Sequence, residues 1–360
     1  MRYHTFNEPL ERDITTYAVI AHELLMGKSL YLDLWDHKPP AIYFTFVAAE
    51  LLLGYGTHAV YVLGVAATVS TLIAIYLAGK SISPPSSVIA AAFWTLVSGD
   101  LYLQANQPNV EVFMNASITW AFALLLTLHR VRFWIPQALA VGALFALASL
   151  YKPVALAPAF LLATAHLLFP PARTTRRAAL IASTTIFAAM GSIWLAVIIL
   201  TLSSGTITAF KKAVFDYNIF YTGHILDNIL FGTAFLGPST NISALRLTLP
   251  LGLLTLVGAI TGFRHAGRPW LLLCTWLLGT HLSVLAPGKN FPHYYQLWLP
   301  PLCIGTGWSL AVLHVHSRWR VRWLSRVAAL TVFLLLLYQV ALWYHLPAEL
   351  WSRLKYGEGV

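Results

Sequence analysis

The chain has 360 residues, of which 58% are hydrophobic and only 10% charged, with a mean hydropathy of +0.69. Soluble domains carry about 25% charged residues, so a water-soluble globular protein is excluded. The formal net charge of +10 would point to nucleic acid in a soluble chain. Here the basic residues fall in connections between apolar blocks, where they report topology, and no nucleic-acid partner is expected.

From the N-terminus, "MRYHTFNEPLERDITTY" has no apolar h-region of a signal peptide. "TTYAVIAHELLMG" reads as a short amphipathic helix with Tyr17, Ile20, Leu24 and Leu25 on one face and Gly27 at its end. "PPAIYFTFVAAELLLG" opens on a double proline, a favoured helix start, and ends at Gly54. At about 15 residues it is short for a span and fits an interfacial helix in the membrane plane. Apolar blocks then recur at 58–78, 86–104, 110–128, 134–150, 153–169, 178–202, 246–263, 270–286, 296–314 and 326–344. The expected fold is an all-α polytopic membrane protein: about ten transmembrane helices, plus two short interfacial helices in the first outer loop. The segments of about ten alternating residues that mark a transmembrane barrel are missing.

Alternate connections are rich in Lys80; Arg130 and Arg132; Arg173, Arg176 and Arg177; Arg264 and Arg268; and Arg318, Arg320, Arg322 and Arg326. The intervening ones hold only Lys152, Lys211, Lys212, Arg246 and Lys289. Arginine and lysine mark the cytoplasmic side, so the poor set faces outward and an even number of spans puts both termini there. This divides the chain into an outer loop, 1–57, a helical membrane domain, 58–344, with a large outer loop at 203–245, and an outer segment, 345–360. Cys274 and Cys303 fall inside apolar blocks and read as packing residues, neither a disulfide framework nor a metal pair.

On that topology, ionisable and aromatic residues gather at the outer ends of separate spans. They are Asp13, Asp36, His37 and Lys38 in the first loop; Asn109 and Glu111 in the second; Lys152 in the third; and His293, Tyr294 and Tyr295 in a late one. Each has a plain reading alone. Asp13 suits a helix cap, Lys38 an interfacial anchor, Glu111 a helix-dipole partner, Lys152 a turn lysine, and "PHYYQLWLPP" an aromatic belt. Those readings leave unexplained why acid, base and aromatic residues recur together, and a carboxylate beside a bilayer is a functional-site candidate by default.

Residues 12–54 resemble the first outer loop of the GT-C glycosyltransferases, in the branch of the lipid A aminoarabinose and galacturonic acid transferases and the protein O-mannosyltransferases. The matching elements are Asp13 with Tyr17 and Ala18, Gly27 with Tyr31 and Asp33, and Lys38-Pro39-Pro40. "NQPNVEVFM" (106–114) and "FPHYYQLWLPPL" (291–302) resemble later motifs in the same order. The resemblance implies a polyprenyl-phosphate-linked sugar as donor and an acceptor hydroxyl on a lipid, glycan or protein. It also implies the outer face of a bacterial inner membrane and inversion at the anomeric carbon. Asp13 falls on the catalytic base and Lys38 on the lysine that binds the donor phosphate. His293, Tyr294 and Lys152 are further phosphate donors, Glu111 is a second acid, and Tyr17, His37, Asn109 and Tyr295 are supporting residues. No covalent cofactor and no protein metal ligands are expected, and a need for a divalent metal is left open. This chain has Ile14 where the family commonly has a second acid. A span normally precedes the loop, and an outer soluble domain normally follows the last span. The comparison therefore implies truncation at both ends, with residues 345–360 as the start of that domain. The rival readings are a transporter or flippase-like protein, whose sites lie nearer the midplane, and an inactive transferase fragment.

Overall fold

The computed structural model describes residues 6–130, 132–172, 174–231 and 240–356. Arg173 of the topological count, part of the outer loop 203–245, and the chain ends at 1–5 and 357–360 lie outside the described residues. Two short helices come first, α1 (Arg12–Leu25) and α2 (Ala41–Leu53), where the amphipathic and double-proline segments place them. The bundle follows: α3 (Thr57–Gly79), α4 (Pro84–Val97), α5 (Val110–Thr127), α6 (Trp134–Tyr151), α7 (Leu156–Leu168) and α8 (Arg176–Ser203). The outer segment contains α9 (Ile207–Lys211), a π-turn over Lys212–Asp216, α10 (Tyr217–Thr222) and α11 (Ile225–Phe231). The chain returns through α12 (Thr240–Leu285), α13 (Leu299–His316), α14 (Trp319–Tyr344) and α15 (Ala348–Tyr356). Among the described residues there is no strand, only an isolated bridge between Leu30 and Leu34.

Seven helical segments among the described residues are long and apolar enough to cross a membrane: Thr57–Gly79, Val110–Thr127, Trp134–Tyr151, Arg176–Ser203, Ala244–Leu285, Pro292–His316 and Trp319–Tyr344. Ala41–Leu53, Pro84–Val97 and Pro153–Leu168 are shorter apolar helices. Helix α12 covers two expected blocks because it breaks at Ala266 (φ −144, ψ 52), three residues before Pro269. A proline removes a backbone donor and clashes with the preceding turn, so the two halves form separate rods. The block expected at 86–104 is helical only to Val97. Asp100 ends it, accepting the Leu103 amide at 2.9 Å while its own carbonyl accepts the Ala105 amide at 2.8 Å. Side chains that bond local backbone compete with the helix in this way.

Close packing sets the bundle. Gly142 on α6 lies against the Ile186 backbone of α8, and Gly258 of α12 against Ser309 of α13, so a Cβ at either position would collide. Small residues that let backbones approach are what membrane helices use in place of a hydrophobic driving force. Bulky residues fill the interior, where Trp270, Trp276, Trp308 and Phe122 are fully buried. Helix α14 instead turns Leu330, Leu334, Leu335 and Tyr338 outward, as an apolar surface suited to lipid requires.

Candidate active site

Five segments bring their ends to one end of the bundle: the first turn of α1, the loop before α2, the start of α5, the end of α6, and the 3₁₀ turn Pro292–Trp298 before α13. Asp13 sits in the first turn of α1, its side chain one-third exposed (32%) and 3.4 Å from Arg12. One turn on, the buried Tyr17 hydroxyl donates to Asn109 Oδ1 at 3.4 Å. The same oxygen accepts the Val110 amide at 2.7 Å and starts α5, which sets the position of Glu111. Tyr17 thus ties the Asp13 helix to the Glu111 helix. Its hydroxyl is held well above the usual tyrosine range, first by burial and then by Asp13, Asp36 and Glu111.

Glu111 is buried and pairs through Oε1 with Lys152 Nζ at 2.9 Å, while Oε2 has no hydrogen-bond partner. Lys152 lies over the ring of Tyr294, 3.4 Å from its centroid. Burial is the largest single influence and opposes its charge, but Glu111 and Tyr294 together hold the ammonium above the ordinary lysine range. His293 Nδ1 meets Gln104 Oε1 at 3.0 Å and lies within electrostatic reach of Glu111, Lys152, Asp13 and Lys38.

The loop before α2 is tightly specified. Tyr31 is buried at φ 71°, a left-handed conformation uncommon for a bulky residue, and its hydroxyl donates to the Lys38 carbonyl at 2.9 Å. Asp36 accepts the Tyr43 hydroxyl at 2.7 Å and the His37 amide at 2.6 Å, and its carboxylate lies 3.0 Å from His37 Nδ1. Lys38 Nζ lies 2.6 Å from His37 Nε2. Burial and then the like charge of Lys152 push the Lys38 ammonium below the ordinary lysine range, while Asp36, Asp13 and Glu111 act in the opposite sense. Two lysines and three carboxylates therefore lie within electrostatic reach of one another.

Of the residues singled out from sequence, Asp13, Tyr17, His37, Lys38, Asn109, Glu111, Lys152, His293 and Tyr294 come together here. Tyr295 is fully buried in the main hydrophobic core. The aromatic outer segment adds residues that sequence reasoning did not select. Asn218 Nδ2 donates to the His37 carbonyl at 2.7 Å, and Tyr217 and Tyr221 flank the His37 ring at 5.3 and 5.9 Å. No local signal marks Asn218, because its partner lies 181 residues away. Asp36 is visible in sequence as an acid beside His37, but its bond from the Tyr43 hydroxyl is not. Among the described residues no group of three His, Cys, Asp or Glu side chains is arranged to share a metal ion.

No protein-family model matches the chain, and no curated protein matches it. Solved structures do. The lipid-bound structure of ArnT from Cupriavidus metallidurans, solved with undecaprenyl phosphate, superposes with a TM-score of 0.60 at 17% identity, over 85% of this chain and 57% of that one. The oligosaccharyltransferase AglB from Archaeoglobus fulgidus, with an inhibitory peptide and a dolichol-phosphate, superposes at 0.61 and 13% identity, over 96% of this chain and 53% of that one. The fold is that of the GT-C glycosyltransferases. AglB tethered to an acceptor peptide gives 0.62 over 98% of this chain. The chain spans about half the length of these GT-C proteins.

Proposed function

We propose that the chain is a membrane glycosyltransferase that moves a sugar from a polyprenyl-phosphate donor to an acceptor hydroxyl on a glycan, lipid or protein. The observation that carries this reading is the meeting of the accessible Asp13 carboxylate with Lys38 and Lys152 at one end of a GT-C bundle. The acceptor oxygen attacks the anomeric carbon, its proton passes to Asp13, and the bond from that carbon to the phosphate oxygen breaks. One displacement inverts the anomeric centre. The electron pair leaves on the phosphate of the polyprenyl lipid, where Lys38 and Lys152, aided by His293 and Tyr294, would neutralise the developing charge. Such charge stabilisation in a water-poor site is commonly the largest catalytic contribution. Glu111, with Oε1 held by Lys152 and Oε2 open, orients the acceptor or the base. The lipid tail of the donor lies in the bilayer, and the reaction is placed on the outer face of the cell membrane, a bacterial inner membrane.

The test uses purified enzyme in nanodiscs with a panel of undecaprenyl-phosphate sugars. D13N loses about 10²–10⁴-fold in transfer rate, the range expected for a placed general base, and still binds undecaprenyl phosphate. Transfer by D13N at the wild-type rate would overturn the assignment.

A further inference from the structure

Lys38 is held by a device that supplies geometry without cancelling charge. A carboxylate only accepts hydrogen bonds and an ammonium only donates them, so the ring between Asp36 and Lys38 has one arrangement that satisfies both. That arrangement puts the ring proton of His37 on Nδ1, 3.0 Å from Asp36 Oδ1, and leaves Nε2 bare to receive Lys38 Nζ at 2.6 Å. Asp36 is itself fixed by the buried Tyr43 hydroxyl at 2.7 Å. The backbone on either side is pinned as well, by Asn218 on the His37 carbonyl at 2.7 Å and Tyr31 on the Lys38 carbonyl at 2.9 Å.

The contrast with Lys152 gives the arrangement its meaning. Lys152 is spent on Glu111 at 2.9 Å. Among the described residues Lys38 makes no ion pair within 4 Å, although Asp13, Asp36 and Glu111 all act on it electrostatically. A neutral imidazole occupies one of its three N–H donors and leaves two for an incoming anion. A carboxylate partner in the same place would have to be displaced before the anion could bind.

The geometry points to Asp36 and His37 as positioning residues that act through Lys38: Asp36 fixes the tautomer of His37, and His37 parks the lysine, undischarged, for the phosphate of a lipid-linked donor. This rests on the transferase reading above. Binding of undecaprenyl phosphate, measured without any sugar, separates the two. We expect K38A to weaken binding by about 100-fold and H37F by about 10-fold, since hydrogen bonds to charged groups are among the stronger ones. D36N, which loses the anchor of the tautomer, weakens it by about 5-fold. H37Q places an amide oxygen where Nε2 stood and stays within about 3-fold of wild type. Added to K38A, H37F costs less than about 2-fold more, because the residue it acts through is gone. An unchanged H37F, an H37Q as weak as H37F, or a full 10-fold loss persisting in the K38A background would each overturn the inference while leaving the transferase reading intact. Failure of the wild type to bind undecaprenyl phosphate would overturn both.

Discussion

Lys152 and Lys38 reach one site through different partners, a buried carboxylate at 2.9 Å and the His37 imidazole at 2.6 Å. A buried charge whose partner is removed is strongly destabilising, so Lys152 contributes to structure as well as to the charge of the site. A third buried ionisable group, Asp100, lies between α4 and α5 and is only 1% exposed. Burial pushes its carboxyl up to about 7, against smaller opposing contributions from the Leu103 and Tyr102 amides and from Arg246. The protonated form is therefore favoured in the folded state. Below about pH 4 the group is neutral folded or unfolded; as pH rises towards 7 the unfolded chain gains stability by ionising and the folded one does not. D100N should raise thermal stability, with a gain that grows between pH 4 and 7 and levels off above, on the order of 4 kcal/mol. Melting in detergent at pH 5 and pH 8 checks this. An equal gain at both would show that Asp100 does not titrate in that window.

Helix α15 folds back from the end of α14 onto the N-terminal segment. Trp351 donates to the Trp343 carbonyl at 3.0 Å, and the Lys355 side chain is buried against Glu8 at 2.5 Å and Glu11 at 3.3 Å. Glu11 is the residue that precedes α1, and its amide donates to Gln107 at 2.9 Å, so the segments leading to Asp13 and to Glu111 both start from this cluster. K355M leaves two buried carboxylates without their cation and should destabilise the fold by about 3–5 kcal/mol. Denaturant unfolding in detergent reads this, and a loss under about 1 kcal/mol would mean that the cluster is hydrated and weak. Much at this scale was legible in sequence. The Tyr17–Ile20–Leu24 stripe marked α1, Pro39–Pro40 marked the start of α2, and the apolar blocks marked the bundle. The shortened α4 was not, because Leu101 and Leu103 keep the block apolar while Asp100 turns the chain. The Asn218–His37 bond was hidden for a different reason. The π-turn at Lys212–Asp216 leaves the Val214 carbonyl to Asn218 Nδ2 at 2.9 Å, and periodicity does not foretell such a turn.

At the scale of the molecule, the starts of α5 and α13 and the end of α6 share one end of the bundle, and that end holds Asp13, Lys38, Glu111 and Lys152. The opposite ends of the same helices lead to Arg130 and Arg132 after α5 and to Arg318, Arg320 and Arg322 after α13. Because cytoplasmic connections collect arginine and lysine, the proposed reading puts the site on the far side of the membrane, where the proposed donor and acceptor would meet. Single cysteines in a background lacking Cys274 and Cys303 test this on intact cells with a membrane-impermeant maleimide. T174C lies in the connection between α7 and α8, at the arginine-rich end, and T222C closes α10, beside the aromatic residues that flank His37. T222C should be labelled from outside and T174C only after the cells are opened. Each helix crosses in the direction its neighbours dictate, so the two positions cannot exchange sides independently. Reversed labelling would turn the whole bundle over, put Asp13 and Lys38 in the cytoplasm, and remove the outer-face reaction while leaving the site's internal geometry unchanged.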